Sequence, residues 1–320
     1  MEGLYFKYSD LQKALYGQKV YKLPVNYAVS CPNRDGTKGY GGCIFCSEKG
    51  SSHEAHENTV EISSQIIKNK EYIGPRYGAK LFDVYFQSYT NTYMPLDIFK
   101  GMINTAVNAT DGIVGLSIST RPDCIDERYL DFLKEIKEKY SVGITIELGL
   151  QSVNERTLEK INRGHTLSDY VKSVILIKSY GFNVCTHMIS TLPWDTENDL
   201  IDGAKMISAL CGYGDSVKIH TLYIEDGTVI GEMYKNGEFE MPDMEEYFIR
   251  TSSFLANLKP DIAISRLTGR VSSETALFEN WGRSHWVVED GLREYMTQNG
   301  IIQGINYSDG NTGGMGRFRA

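Results

Sequence analysis

Between Ser30 and Ser47 the chain reads SCPNRDGTKGYGGCIFCS, and three of its six cysteines fall here, spaced C-x11-C-x2-C. Cys43 and Cys46 are close enough in sequence to turn two thiolates toward one metal centre. Cys31 can supply a third corner from across a loop that holds Gly36, Gly39, Gly41 and Gly42. A structural zinc site takes four ligands as a rule. No fourth cysteine lies nearby, although His53 or His56 could complete such a site. Three thiolates are what a [4Fe–4S] cluster with one open iron requires, and such clusters span roughly −700 to +450 mV. On the cysteines alone, zinc and cluster both stay open. Cys124, Cys185 and Cys211 show no metal spacing, and Cys185 reads as a strand core residue.

Further polar residues stand where strands should end. Gln87, Ser88 and Thr90 close one apolar run, and Ser117, Ser119 and Arg121 alternate through the next. Glu147 and Gln151, four apart, share a face if their strand stays regular. A carboxylate on such a face needs a partner, because an unpaired buried Glu is costly. His187, and Lys218 with His220, alternate with apolar neighbours on two later strands. Each reads either as a ligand-facing group or as a satisfied core polar group. Arg121 has an ion pair with Asp123 or Asp126 as its plain alternative, and His165 reads as an exposed cap residue or a site residue.

The elements that must position these groups alternate. Strands are expected at 22–29, 80–88, 112–120, 142–150, 182–190 and 215–224, with a weaker one at 261–267. Many look apolar on both faces, as parallel strands covered by helices are. Helices are expected at 95–109, 126–140, 168–181 and 197–212, with Asp126 and Ser168 as N-caps and Gly181 and Gly212 at C-termini. Repeated β-then-α order predicts a parallel sheet, and a ligand loop after strand one lies where such folds build active sites. The expected organisation is an α/β chain: a barrel over 1–240, a C-terminal α/β extension over 241–307 with helices at 241–258 and 284–300, and a mobile tail from Ser308.

Composition bounds the partners. The 320 residues carry 33 Lys and Arg against 41 Asp and Glu, a formal charge of −8. That excludes a general nucleic-acid coat, which neutralises phosphates with Lys and Arg, but leaves room for a local basic surface. No apolar run approaches the ~18 residues of a membrane span, and Met1–Asp10 lacks the basic start of a signal peptide. The expectation is a cytoplasmic protein without a membrane partner, whose thiols stay reduced.

Eight blocks make the chain recognisable: CPNRDG (31–36), GGCIFC (41–46), YFQSYTNTY (85–93), STRPDCI (119–125), ELGLQS (147–152), INRGHT (161–166), KIHTLYIEDGT (218–228) and SRLTG (265–269). In this order they resemble the radical S-adenosylmethionine (SAM) proteins, in particular the stand-alone family related to the catalytic subunit of Elongator (YhcC/YtqA type). The resemblance implies a partial (β/α)6 TIM-like barrel. It implies a [4Fe–4S] cluster on Cys31, Cys43 and Cys46, whose open iron takes SAM, and reductive cleavage of SAM to a 5′-deoxyadenosyl radical that abstracts hydrogen from substrate. Phe45 would pack on the adenine; Gln87, Ser88 and Thr90 match the place where the family binds the SAM amino group, with polar residues replacing its glycines. Ser119 suits the ribose and Arg121 the SAM carboxylate, while Glu147, Gln151, His187 and Lys218 would complete the cofactor wall.

The same resemblance implies tRNA as substrate, with conversion of a carboxymethylaminomethyl group on C5 of a wobble uridine to aminomethyl, and a flavodoxin- or ferredoxin-type reductant. Arg156, Lys160 and Arg163 are candidate tRNA contacts, as are Arg266, Arg270, Arg283, Arg293, Arg317 and Arg319, with Trp281, Trp286 and Tyr295 for stacking. The rivals are a radical SAM enzyme acting on a small molecule or peptide, and a non-catalytic zinc or Fe–S module. The C-x11-C gap is longer than the superfamily's common spacing, which makes the loop between Cys31 and Cys43 a candidate substrate-facing element.

Overall fold

Seven strands pair in parallel, in the order β1 (Val20–Val25), β2 (Leu81–Phe86), β3 (Ile113–Thr120), β4 (Gly143–Gln151), β5 (Asn183–Ile189), β6 (Ser216–His220) and β8 (Ala263–Arg266). The computed structural model describes residues 3–47, 56, 58–269 and 275–308. Within it the sheet curls into an open, partial TIM-like barrel with helices on its outer side. A short antiparallel pair, β7 (Ile224–Glu225) with β9 (Ala276–Phe278), stands beside it. The weak seventh strand expected at 261–267 therefore joins the main sheet next to β6, contributed by the segment read as an extension.

Helices precede, connect and follow the strands: α1 (Tyr8–Tyr16), α2 (Ile62–Tyr77), α3 (Leu96–Val107), α4 (Glu127–Tyr140), α5 (Glu155–Lys160), α6 (Leu167–Ser179), α7 (Glu197–Leu210), α8 (Val229–Lys235), α9 (Met244–Asn257) and α10 (His285–Gln298). Asp126 caps α4 by accepting from the Arg128 amide. α6 starts one turn's edge earlier than expected, because Thr166 rather than Ser168 closes a capping box with Asp169. α7 opens on the same box, Thr196 with Asp199, and ends on extended Cys211 rather than on a glycine. Gly181 does take the left-handed conformation just past α6, at φ 67°.

The strands differ from the expectation of two apolar faces. Phe82, Val84, Phe86, Leu116, Ile118, Ile144, Ile146, Leu148, Val217 and Ile219 all point into one core under the helices. The alternate residues, among them Asp83, Tyr85, Ser117, Ser119, Glu147, His187 and Lys218, face the barrel interior, where Ser117 and Ser119 bond to Asp83 and Tyr85. The reason is curvature: a flat doubly covered sheet buries both faces in oil, whereas a curled sheet turns one face toward its own ligand space. Each apolar side chain on the outer face contributes roughly 1.5–3 kcal/mol by burial, so the outer face supplies stability and leaves the inner face free for chemistry. The tail expected to begin at Ser308 lies, from residue 309 onward, outside the described residues.

Candidate active site

The loop after β1 is folded by its own turns. The amides of Arg34 and Cys46 donate to the carbonyls of Cys31 and Cys43, at 2.8 and 2.9 Å. Its tip is a one-bridge hairpin between Asp35 and Tyr40. Gly36 sits there at φ 91°, a backbone conformation that strains other residues, and a Cβ on it would press on the Tyr40 ring at 2.7 Å. The loop is tied to distant helices by backbone: the Ile44 amide donates to Ile161 (3.1 Å) and its carbonyl accepts from Ile230 (3.0 Å). Asn162 donates to the Gly42 carbonyl at 2.8 Å, and Asn33 donates to the Asn162 carbonyl.

This scaffold aims Cys31, Cys43 and Cys46 into one cavity of about 630 Å³. N–H donors surround the sulfurs. Arg163 Nη1 and Asn33 Nδ2 approach Cys43 Sγ at 3.5 and 3.8 Å, and Arg34 Nη2 approaches Cys46 Sγ at 3.5 Å. Such donors favour thiolate over thiol. Cys46 is nevertheless pushed up, by burial first and then by Cys43, with Arg34 pulling the other way; a metal ion would supply the missing positive charge. Phe45 lines the same cavity and packs on the small apolar cluster around Ile44, Leu158 and Ile189.

The walls come from the strand ends. Gln87, Thr90, Ser119, Arg121 and Gln151 all line the cavity. Ser88 lies behind the wall, with its hydroxyl buried and its carbonyl accepting from Asn91. Asn91, in the same stretch, pins this loop through bonds to the carbonyls of Phe86, Ser88 and Ser119 at 2.9–3.1 Å. Arg121 is buried and grips Asp123 with Nε and Nη2, both at 2.9 Å. The pair holds the Asp123 carboxyl down at about 2 against the pull of burial. Arg121 Nη1 remains a buried donor with no acceptor among the described residues. Asp126 is engaged elsewhere, as the α4 cap and the partner of Arg128. A bulge between Gly149 and Gln151 breaks the regular spacing from Glu147, and Gln151 reaches the cavity from φ 76°.

Deeper in the barrel, Glu147 is fully partnered by protein. Lys22 pairs with Oε1, while His187 Nε2 (2.7 Å) and Lys218 Nζ (3.4 Å) approach Oε2. Burial alone would raise this carboxyl; Lys218, Lys22 and the His187 hydrogen bond override it and hold it well below its usual range. Burial, then Lys218, drops His187 to about 4, so the ring is neutral and its Nε2 carries the proton shared with Glu147. Lys218 also donates to Tyr85 Oη at 2.9 Å, and burial lowers it to about 8. Lys22 and Tyr85 were not among the expected site residues; their signal is period-two placement with Asp83 and Gln87 on neighbouring strands.

Some expected contacts lie elsewhere. His165 is neither an exposed cap nor a wall residue: it is buried, bonds the Gly149 carbonyl at 3.1 Å and is pushed down to about 3 by burial and by Arg163 and Arg121. Arg163 is buried against Cys43 and Gly149, not displayed for a polyanion. Trp281 packs on Tyr247 and Phe278, and Arg293 pairs with Glu289 and Asp290. Trp286 is exposed. His53, Arg270, Arg317 and Arg319 lie outside the described residues, and among those described no helix is long and apolar enough to cross a membrane.

A family model described as "Radical SAM superfamily" matches residues 28–207, which include the cysteine loop and strands β2 to β5. The chain belongs to the radical SAM superfamily. A second model, "Radical_SAM C-terminal domain", covers residues 214–298 of this radical SAM protein. YtqA of Bacillus subtilis (strain 168) is 32% identical over 95% of this chain and 96% of its own length. A tRNA uridine(34) acetyltransferase of Methanocaldococcus jannaschii is 30% identical over 59% of this chain and 34% of that protein. The solved Elp3 of Methanocaldococcus infernus superposes with a TM-score of 0.65 at 19% identity, covering 89% of this chain and 64% of that one, and so shares the fold. The protein is thus a radical SAM enzyme of the YtqA/YhcC, Elongator-like group, with a [4Fe–4S] cluster and SAM as cofactors.

The residues present fit those groups. The three thiols face one cavity with N–H donors on the sulfurs, and Arg121 offers a buried, orphaned donor in the same wall. Among the described residues, the trio whose ligand atoms lie within 4.8 Å of one another is Glu147, Cys185 and His187, not the loop cysteines. A single zinc ion with Zn–S bonds of ~2.3 Å would draw its sulfurs to about 3.8 Å apart; the wider spread suits a cluster. Glu147 has two lysines on it, which marks that trio as an ion-pair network.

Proposed function

We propose that the enzyme modifies the C5 side chain of a wobble uridine in tRNA, converting carboxymethylaminomethyl to aminomethyl, with Cys31, Cys43 and Cys46 holding the cluster. The observation that carries the cluster assignment is the convergence of these thiols, under Arg163, Asn33 and Arg34, on one cavity of about 630 Å³. Similarity to the tRNA uridine(34) acetyltransferase supports the tRNA reading.

When bound, the cluster and SAM supply a 5′-deoxyadenosyl radical by one-electron cleavage. The chain orients and excludes water. Arg121 offers Nη1 to the SAM carboxylate while Asp123 fixes its plane. Phe45, Gln87, Thr90, Ser119 and Gln151 line the remainder of the cofactor space. Ser88 supports that wall through its carbonyl bond to Asn91. Glu147 and His187 hold the inner wall in place as a neutralised pair with Lys22. Hydrogen abstraction at the side-chain methylene between nitrogen and carboxylate gives a radical stabilised by that nitrogen. Loss of one electron to a one-electron carrier and addition of water then release the amine and a two-carbon aldehyde acid.

The test compares nucleosides of tRNA from cells with and without the protein. Loss of aminomethyl-type uridines with accumulation of the carboxymethylaminomethyl form is expected. An unchanged set of C5-substituted uridines removes the substrate reading, and 5′-deoxyadenosine formed without tRNA but with a small molecule or peptide would replace it.

A further inference from the structure

The cavity has two chemically different ends. At the thiol end stand Arg34, Arg121 and Arg163, each beside a loop cysteine. At the other end, strands β5 and β6 present His187 opposite Lys218, with the His220 ring 5.4 Å from that of His187. The charges that act most strongly on Lys218 are those of Glu147, Arg266 and Lys22.

This inner end is short of negative charge. An ammonium has three donors, and among the described residues Lys218 has two acceptors, Tyr85 Oη and Glu147 Oε2. Glu147 is already paired with Lys22 and bonded by His187, so its hold on Lys218 is the long one, at 3.4 Å. His220 lines the cavity, and its ring makes no hydrogen bond among the described residues. Burial drags Lys218 and both histidines down, as happens where cations gather without an anion to solvate them.

We propose that Lys218 and His220 form a subsite for the carboxylate of the substrate's side chain, rather than for SAM. This rests on the reading of the substrate as a carboxymethylaminomethyl uridine. That side chain ends in a carboxylate, which accepts from the third Lys218 N–H and from the His220 ring N–H. Its methylene is then held between this wall and the thiol end. The product amine lacks the anion, so the same contact separates substrate from product.

The experiment has two arms. First, the reconstituted enzyme is given tRNA bearing the acid side chain and the same tRNA with that acid as its neutral methyl ester. The wild type should favour the acid by about tenfold or more in kcat/KM, the scale of one hydrogen bond to a charged group. Lys218→Met should bring the ratio near one, mainly through KM, and Lys218→Arg should restore part of it. An unchanged ratio in Lys218→Met overturns the subsite. Second, lysine-selective nitrogen-15 labelling follows the Lys218 ammonium while N-methylglycine is added to the full chain. A rise of its titration midpoint supports the subsite, and a static midpoint overturns it. If the wild type turns over neither tRNA, the substrate reading fails, and the second arm decides the anion subsite by itself.

Discussion

Arg163 joins two parts of the site: its Nη1 lies 3.5 Å from Cys43 Sγ while its Nη2 donates to the Gly149 carbonyl at 2.7 Å. One guanidinium thus sets the end of β4 against the cysteine loop. Hydrogen bonds to sulfur tune cluster potentials. Arg163→Met should therefore lower the cluster's reduction potential and its iron content per chain. Potentiometric titration followed by EPR reads both, and a wild-type potential at full iron loading would refute the role.

A methyl group can make the same cut from the opposite side. A Cβ on Gly149 would stand 2.5 Å from Arg163 Nη2. Gly149→Ala should push the guanidinium off the carbonyl and reproduce much of the Arg163→Met potential shift. If the shift is absent while Arg163→Met shows it, the coupling through Gly149 is wrong.

Cysteine replacement sorts the six thiols. Cys31→Ala, Cys43→Ala and Cys46→Ala should each abolish the cluster's visible absorption after anaerobic reconstitution, together with 5′-deoxyadenosine formation. Cys124→Ala, Cys185→Ala and Cys211→Ala should keep both. Cys211 sits in the core at the end of α7, so its variant should lose some thermal stability instead.

Removing the charge of Glu147 strands two cations. Glu147→Gln leaves Lys218 buried and Lys22 half-buried beside a neutral amide. Breaking a buried pair this way costs on the order of 3–5 kcal/mol. Denaturant unfolding of the apo chain should show it, and a variant within experimental error of wild type would mean that water reaches this network.

Asp83 gives a pH signature of known sign. Burial raises it from 3.8 to about 6, against Lys22 and a Ser117 hydrogen bond. The folded state then binds its proton more tightly than the unfolded one. Its favourable contribution is complete below pH 3.8 and is lost as pH rises through about 6. Asp83→Asn keeps no such penalty, so its stability relative to wild type should improve by up to about 3 kcal/mol between those limits, at 1.36 kcal/mol per pKa unit. Paired thermal melts at several pH values test this; a constant difference, or one of opposite slope, counts against it.

How much of this was legible in the sequence differs from element to element. The β-then-α rhythm, the cysteine loop and the Asp126 cap are local patterns, and each appears in the structure. α1 and α2 escaped because no capping side chain marks their starts at Lys7 and Glu61, and α2 carries Pro75. Glu147 was recognised as needing a partner, but Lys22, 125 positions away, is brought to it only by closure of the barrel. Arg163 read as one of three cations at helical spacing, and only the bend after α5 shows it turned inward onto Cys43. Charge type is written in the chain, whereas direction depends on curvature.

Ile44 has a role set by position alone. Its amide is held at the end of α5 and its carbonyl at the start of α8, 117 and 186 residues downstream respectively. The paired cysteines flank Ile44 and Phe45. The loop is thus a clasp that closes on two later parts of the chain, and its geometry is complete only once residue 230 has been made and folded. During synthesis, a chain still short of α8 holds Cys43 and Cys46 on an open strap, so metal acquisition should follow the arrival of the C-terminal half rather than the emergence of the cysteines.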